Sequence, residues 1–406
     1  MKIKRLKMAC YTSNLCMSLV GNLSPVLFLT FRSLYGISYS LLGLLVFINF
    51  VTQLGIDLVF SFFSHKFNIP KTLKLMPVLT LIGLAIYAIW PFFFPQAAYI
   101  GLVIGTIIFS AASGLGEVLI SPVIAAIPAK DPDREMSKLH SIYAWGVVFI
   151  IIISTLFLLI FGNENWQWLA LFFILIPLSS RILYIGVEIP AMETPEKVSG
   201  VLEQLKMKGL WTCFLAIFLG GAAECTMAQW SSGYLEQALG IPKVWGDVFG
   251  VAFFAVMLGL GRSLYAKIGK NIGKVLFLGA FGATICYFTA AISSIPVIGL
   301  LACALTGFCT SMLWPGNLIV ASDRFPHGGI FLYALMAAGG DLGASIGPQL
   351  VGIVTDITIA NATAVSFAQN IGLAPEQFGM KLGMLVGMLF PLAGIFIYYR
   401  MWKKKN

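Results

Sequence analysis

Apolar residues along this chain run in long blocks of about 20 or more, separated by short polar turns. They neither alternate nor keep to one helical face. A helix apolar on all sides lies in a large core or in lipid, and a spanning helix needs about 20 such residues. Twelve blocks reach that length, near 8–32, 39–64, 73–93, 97–126, 138–161, 166–187, 208–238, 244–266, 273–292, 295–321, 328–355 and 379–400. The pattern therefore predicts an all-α membrane protein with twelve transmembrane helices. The basic start, Met1 to Lys7, resembles the opening of a secretory signal. The apolar run behind it is too long and has no Ala-x-Ala cleavage site, so it is expected to remain as the first helix.

Composition agrees. Hydrophobic residues make up 59% of the 406 and charged ones 11%, against roughly 45–50% and ~25% in soluble domains. Dinucleotide-binding, disulfide-scaffold and disordered classes are excluded. The 41 glycines suit close helix packing in lipid. Seven cysteines sit inside apolar blocks without metal-ligand spacing and read as small apolar fillers. No metal or cofactor is expected.

The net charge of +9 looks at first like a nucleic-acid signal. Its distribution says otherwise. Four basic residues precede the first block, three each fall in 66–74, 130–138, 197–208 and 267–274, one is Arg324, and four lie in 400–405. A twelve-crossing chain places all of these on one side, which the positive-inside rule makes cytoplasmic. Both termini are expected there, in a plasma membrane, bacterial from the short loops and tails. No nucleic-acid partner is expected.

The longest cytoplasmic connection divides the chain into a six-helix bundle at 1–187, a linker at 188–207 and a second six-helix bundle at 208–406. Internal repeats agree with this division. Asn68-Ile-Pro-Lys71-Thr-Leu-Lys-Leu75 returns as Asn271-Ile-Gly-Lys274-Val-Leu-Phe-Leu278, and Gly114…Pro122 returns as Gly307…Pro315. A parallel repeat of this kind is how two transporter halves enclose a midplane solute site.

An ionisable group at the bilayer centre costs on the order of 2.5–3.5 kcal/mol on insertion scales. Asp57, Glu117, Glu224 and Asp341 are placed to bear that cost, with no lysine or arginine expected at their depth. A carboxylate kept from water and cations is suited to exchanging a proton near neutral pH. Asp57 and Asp341 lie off-centre by count and fit a hydrogen-bonding role as well. Glu117 shares one face of helix 4 with Ser110, Ser113 and Ser121. Similar polar stripes are Asn14, Ser18 and Asn22; Asn49, Gln53 and Asp57; Thr306, Thr310 and Asn317; and Asp341, Ser345 and Gln349. Polar stripes with apolar backs belong to helices lining a wet cavity. Helix 7 adds Glu224, Gln229, Trp230 and Tyr234 after a Gly220-Gly221 pair that allows a bend. Amides and carboxylates pair with hydroxyls, and an indole face packs on a sugar ring. Trp230 and Trp314 are candidates for that stacking, while Trp90, Trp166, Trp168 and Trp402 fit an interfacial belt. No phosphate-binding loop and no H-E-x-x-H is present, which argues against an ATP-driven pump or a hydrolase.

With these features the chain resembles the major facilitator superfamily over nearly its whole length. The loop motif of that superfamily after helix 2, roughly G-x-x-x-D-R-x-G-R-R, is degraded in Ser64…Lys71 and better kept in Gly261-Arg262…Lys267-Ile-Gly269-Lys270. Helix 4, Gly114-Leu-Gly116-Glu117…Ser121-Pro122, is similar to the fucose:proton symporter branch. So are helix 7, Gly220…Glu224…Tyr234, and helix 10, Gly307…Ser311-Met-Leu-Trp-Pro315. Where that branch has an Asn-Asp pair in helix 1, this chain has Asn22-Leu23, so Glu117 alone carries over as the proton site. The drug-exporter motif G-x-x-x-G-P is missing from helix 5 and occurs in helix 11 as Gly343…Gly347-Pro348.

The expected activity is alternating-access transport of a small polar solute, a sugar or polyhydroxy compound, coupled to protons, by a monomer in lipid that is not an enzyme. A proton-driven exporter of drugs or amphipathic metabolites is the alternative within the fold. A non-transporting sensor or scaffold is the alternative outside transport. Proton coupling falls to Glu117, Asp57, Glu224 and Asp341. Solute binding falls to Asn22, Asn49, Gln53, Glu117, Gln229, Trp230, Tyr234, Trp314, Asn317 and Gln349.

Overall fold

In a computed structural model the described residues are 2–63, 66–127, 132–190, 206, 208–325 and 329–403. The greater part of the predicted linker (191–205 and 207), together with His65 and His327, lies outside them, as do the side chains of Ser121, Pro122 and His140. Among the described residues there is no strand. The chain is a multi-pass, twelve-helix membrane protein. The helices are α1 (Lys2–Tyr35), α2 (Tyr39–Phe63), α3 (Ile69–Phe93), α4 (Ala98–Ala126), α5 (Pro132–Phe161) and α6 (Trp166–Phe173 with Leu175–Leu183). They continue as α7 (Leu210–Leu239), α8 (a π-helical Gly246–Ala252 leading into Phe253–Ile268), α9 (Ile272–Ile292), α10 (Pro296–Thr310 with Pro315–Arg324), α11 (Gly329–Ala360) and α12 (Pro375–Lys403). Among the described residues, eleven are long and apolar enough to cross a membrane, and α5 adds the shorter apolar run Trp145–Phe161. Phe93, Leu159, Ile160 and Phe396 lie more than half exposed, a surface suited to lipid rather than water.

Two compact units form, Met1–Thr30 with Ile48–Leu205, and Phe31–Phe47 with Lys206–Asn406. In the first, Leu6, Cys10, Phe60, Met76, Leu115, Ile120 and Tyr184 make a continuous core. Its polar pins are local. The Ser13 hydroxyl lies 2.8 Å from that of Ser180 and donates to Tyr184, and Arg5 donates to the Ile182 and Leu183 carbonyls at the end of α6. A cation there adds charge-assisted donors at the negative end of the helix. In the second unit the core is Ala216, Leu276, Ala280, Leu313 and Tyr398.

The repeated Asn-Ile-x-Lys segments do the same work in each unit. Asn68 accepts from the Lys71 N–H at the start of α3, and Asn271 from the Lys274 N–H at the start of α9, both at 3.1 Å. An Asn side chain here takes one of the four orphan donors of a helix N-terminus.

Two features differ from what the sequence suggests on its face. Gly220-Gly221 does not interrupt α7, which runs as one helix from Leu210 to Leu239. Those glycines sit against the Leu313 and Gly340 backbones, so they serve close approach. Trp166 is not a belt residue. It is fully buried and meets Tyr87 edge-on at 5.8 Å.

Candidate functional site

In the first unit the polar faces of α2 and α4 meet. A side chain on Gly114 would press on Ile56 and on the Gln53 backbone at 3.0–3.2 Å, so glycine sets how closely the two helices run. That approach aligns their stripes. Ser110 donates to the Asn49 side-chain oxygen at 2.6 Å, and Gln53 reaches the Asn49 carbonyl at 3.5 Å. One turn further on, a carboxylate oxygen of Asp57 and one of Glu117 lie within 4.8 Å of each other. Asp57 is buried and Glu117 half-buried. The pair was not evident from the sequence, where the two acids stood in separate stripes. At 4.8 Å two full charges repel by about 3 kcal/mol at an effective dielectric constant of ~20. Binding one proton removes that repulsion.

The α1 stripe faces α5. Asn14 donates to the Leu139 carbonyl at 2.7 Å and Ser18 to the Tyr143 carbonyl at 2.9 Å. Asn22 is half-buried and donates to Ser18 of its own helix.

The second unit answers differently. The expectation that no basic residue reaches these acids fails at Glu224. Arg262 of α8 donates to it at 3.2 Å. The reason lies in α10. Pro315 has no N–H, so the Ser311 carbonyl four residues earlier loses its helical donor. Arg262 Nε supplies one at 3.1 Å, and Nη2 of the same guanidinium turns to Glu224. Arg262 thus ties α7 to the break in α10. Arg262→Ala should lower stability by about 1–2 kcal/mol, the pair being partly solvated. Arg262→Ala with Glu224→Gln should recover much of that loss in thermal unfolding, since the stranded charge is gone. If the double variant is no more stable than the single, the pairing carries no energy.

Trp230 is fully buried. Its indole N–H donates to the Pro348 carbonyl at 2.8 Å, and Tyr39 packs against it with ring centroids 6.1 Å apart. In this conformation its ring is a packing element and no sugar can lie on it. Trp230→Ala is expected to cost about 3–5 kcal/mol of stability, the usual loss for a core aromatic. An unchanged melting temperature would contradict that role. Tyr234 is also buried and donates to the Ala290 carbonyl. Asn317 donates to Tyr398 at 2.9 Å, which donates in turn to the Ala216 carbonyl, linking α10, α12 and α7. Trp314 is half-buried with its ring over Gly340. Gln349 packs beside Gly43. Gln229 and Asp341 are buried.

The sequence profile of the Major Facilitator Superfamily matches residues 10–348. The chain belongs to the major facilitator superfamily. Members of this superfamily are membrane transporters. No curated protein sequence matches it. Among solved structures, a D-xylose-proton symporter is 16% identical with a TM-score of 0.76, covering 98% of this chain and 97% of that one. A bacterial homolog of the human lysosomal transporter Spinster, inward-facing and occupied, is 12% identical with a TM-score of 0.70, covering 100% and 97%. The E. coli fucose:proton symporter is 15% identical with a TM-score of 0.58, covering 96% and 98%. At these identities the likeness is one of fold.

Proposed function

We propose that this transporter is a proton-coupled symporter of a sugar or another small polyhydroxy compound. It would act as a monomer, by alternating access between two six-helix halves, in a plasma membrane with both termini cytoplasmic. The observation that carries this reading is the Asp57–Glu117 pair on the facing stripes of α2 and α4. Two carboxyl groups that close in a low-dielectric setting form a proton-binding element whose occupancy changes with exposure to either side of the membrane. The amides Gln53 and Asn49 line the same stripe one and two turns from Asp57, and offer both donors and acceptors to hydroxyls. Two of the similar structures are sugar–proton symporters, and the helix 4, 7 and 10 motifs resemble the fucose branch. Glu224 leaves the proton-coupling set because Arg262 pairs with it.

A screen of solutes by thermal stabilisation tests the substrate class, since a ligand stabilises by RT ln(1 + [L]/Kd). Monosaccharides or polyols at about 100-fold over Kd should stabilise the protein by about 2.7 kcal/mol. Stabilisation by amphipathic cations with no response to polyols would favour the exporter instead.

A further inference from the structure

Residues Phe31–Phe47, the end of α1, the turn and the start of α2, group with the helices of the second unit. The first N–H groups of α2 show how this segment is held. A helix N-terminus has four N–H groups without helical partners. Leu42 N–H closes the first helical turn on the Ser38 carbonyl at 3.0 Å. Of the donors before it, Leu41 N–H goes to the Ser38 hydroxyl at 3.2 Å, and two leave the segment altogether. Tyr39 N–H and Ser40 N–H donate to the two carboxylate oxygens of Asp356 in α11, at 3.2 and 2.6 Å. A carboxylate straddling two orphan donors also meets the positive end of the helix dipole. Around this cap the fit is close. The Arg32 guanidinium lies 3.9 Å above the Tyr39 ring, whose other neighbour is Trp230. A methyl group on Gly352, one turn before Asp356, would collide with the Tyr39 carbonyl.

We infer that Asp356 is a latch that holds the Phe31–Phe47 hairpin against α11 and over Trp230, and that its release is the step that uncovers this end of the carrier. Asp356 is a positioning residue. It holds the hairpin through backbone donors, so the sequence of the hairpin is free to vary while the latch persists. The inference rests on the alternating-access reading above, because a device that only stabilised a fixed fold would have no released state.

The test is the rate at which a maleimide labels a cysteine introduced by Ile37→Cys, in the full chain in nanodiscs with both membrane faces open. Ile37 is 4% exposed in the latched hairpin. With the native cysteines as background, Asp356→Ala should raise its labelling rate about five- to tenfold, the usual worth of a carboxylate cap. Gly352→Ala should raise it as well, by wedging the backbones apart with the charge intact. Asp356→Asn, which keeps one acceptor oxygen, should fall between. The buried native Cys303 should stay at the parent rate in every variant. Equal Ile37→Cys rates in all variants would overturn the latch, and so would a parallel rise at Cys303, which reports general unfolding. Faster labelling in a protein that concentrates no solute would keep the latch and reject the symport reading. Unchanged labelling in an active carrier would reject the latch alone.

Discussion

Glu117→Gln is expected to abolish solute accumulation driven by a pH gradient while leaving solute counterflow within about twofold of the parent. The amide keeps the shape and hydrogen-bonding reach of the acid but can neither bind nor release a proton. A carrier fixed in that state can still bind solute and exchange it across the membrane, because exchange needs no net proton movement. Asp57 faces Glu117 within 4.8 Å, so Asp57→Asn should also impair uphill uptake, by about tenfold. It removes the charge repulsion that binding a proton relieves. If Glu117→Gln still concentrates solute, the coupling proton travels elsewhere and Asp341 becomes the group to test. If it loses binding and counterflow together, Glu117 is a solute ligand first.

Gly343→Val should have the largest effect on folding. α11 crosses α7 so closely here that even a Cβ would run into the Phe218 carbonyl oxygen and lie 2.8 Å from the Ala222 nitrogen. Both obstacles are backbone and cannot rotate away. Close approach of helices in lipid depends on small residues of this kind. Overpacking at such a contact costs about 3 kcal/mol, and Val adds two methyl groups beyond the Cβ. The expected result is a sharp fall in melting temperature and in folded yield from detergent extracts. Gly55→Ala in α2 is the matched control. Nothing lies within 4 Å of that position, so the change should be neutral or slightly stabilising, as Ala replaces Gly inside a helix. A Gly343→Val protein that melts with the parent would contradict the packing described for α7 and α11.

Much of the fold was legible because lipid writes it into one dimension. A block of 20 apolar residues has few alternatives, and the Asn68 and Asn271 caps were visible as a repeat before their hydrogen bonds were known. The site was legible in parts. The serine and amide stripes placed Ser110, Asn49 and Gln53 on the correct faces, but the Asp57–Glu117 pair depends on the register of α4 against α2, which the Gly114 contact fixes. The Arg262 pairing is hidden from the sequence for a related reason. Its partner is 38 residues away on another helix, and depth alone gave no hint of it. A usable signal did exist, since Pro315 implies an open Ser311 carbonyl that a nearby donor must fill. Aromatic residues misled most. Trp166 and Trp230 look like belt or stacking residues in a string of letters, and only packing shows that both are enclosed.

The most direct test of proton-coupled sugar uptake is accumulation of a labelled monosaccharide by proteoliposomes under an imposed pH gradient. With an alkaline interior, the parent protein should concentrate the sugar above its external level. Collapsing the gradient with a protonophore should release it, and Glu117→Gln should only equilibrate. Sugar levels that never exceed equilibrium, or net movement only outward against the gradient, would contradict proton-coupled uptake.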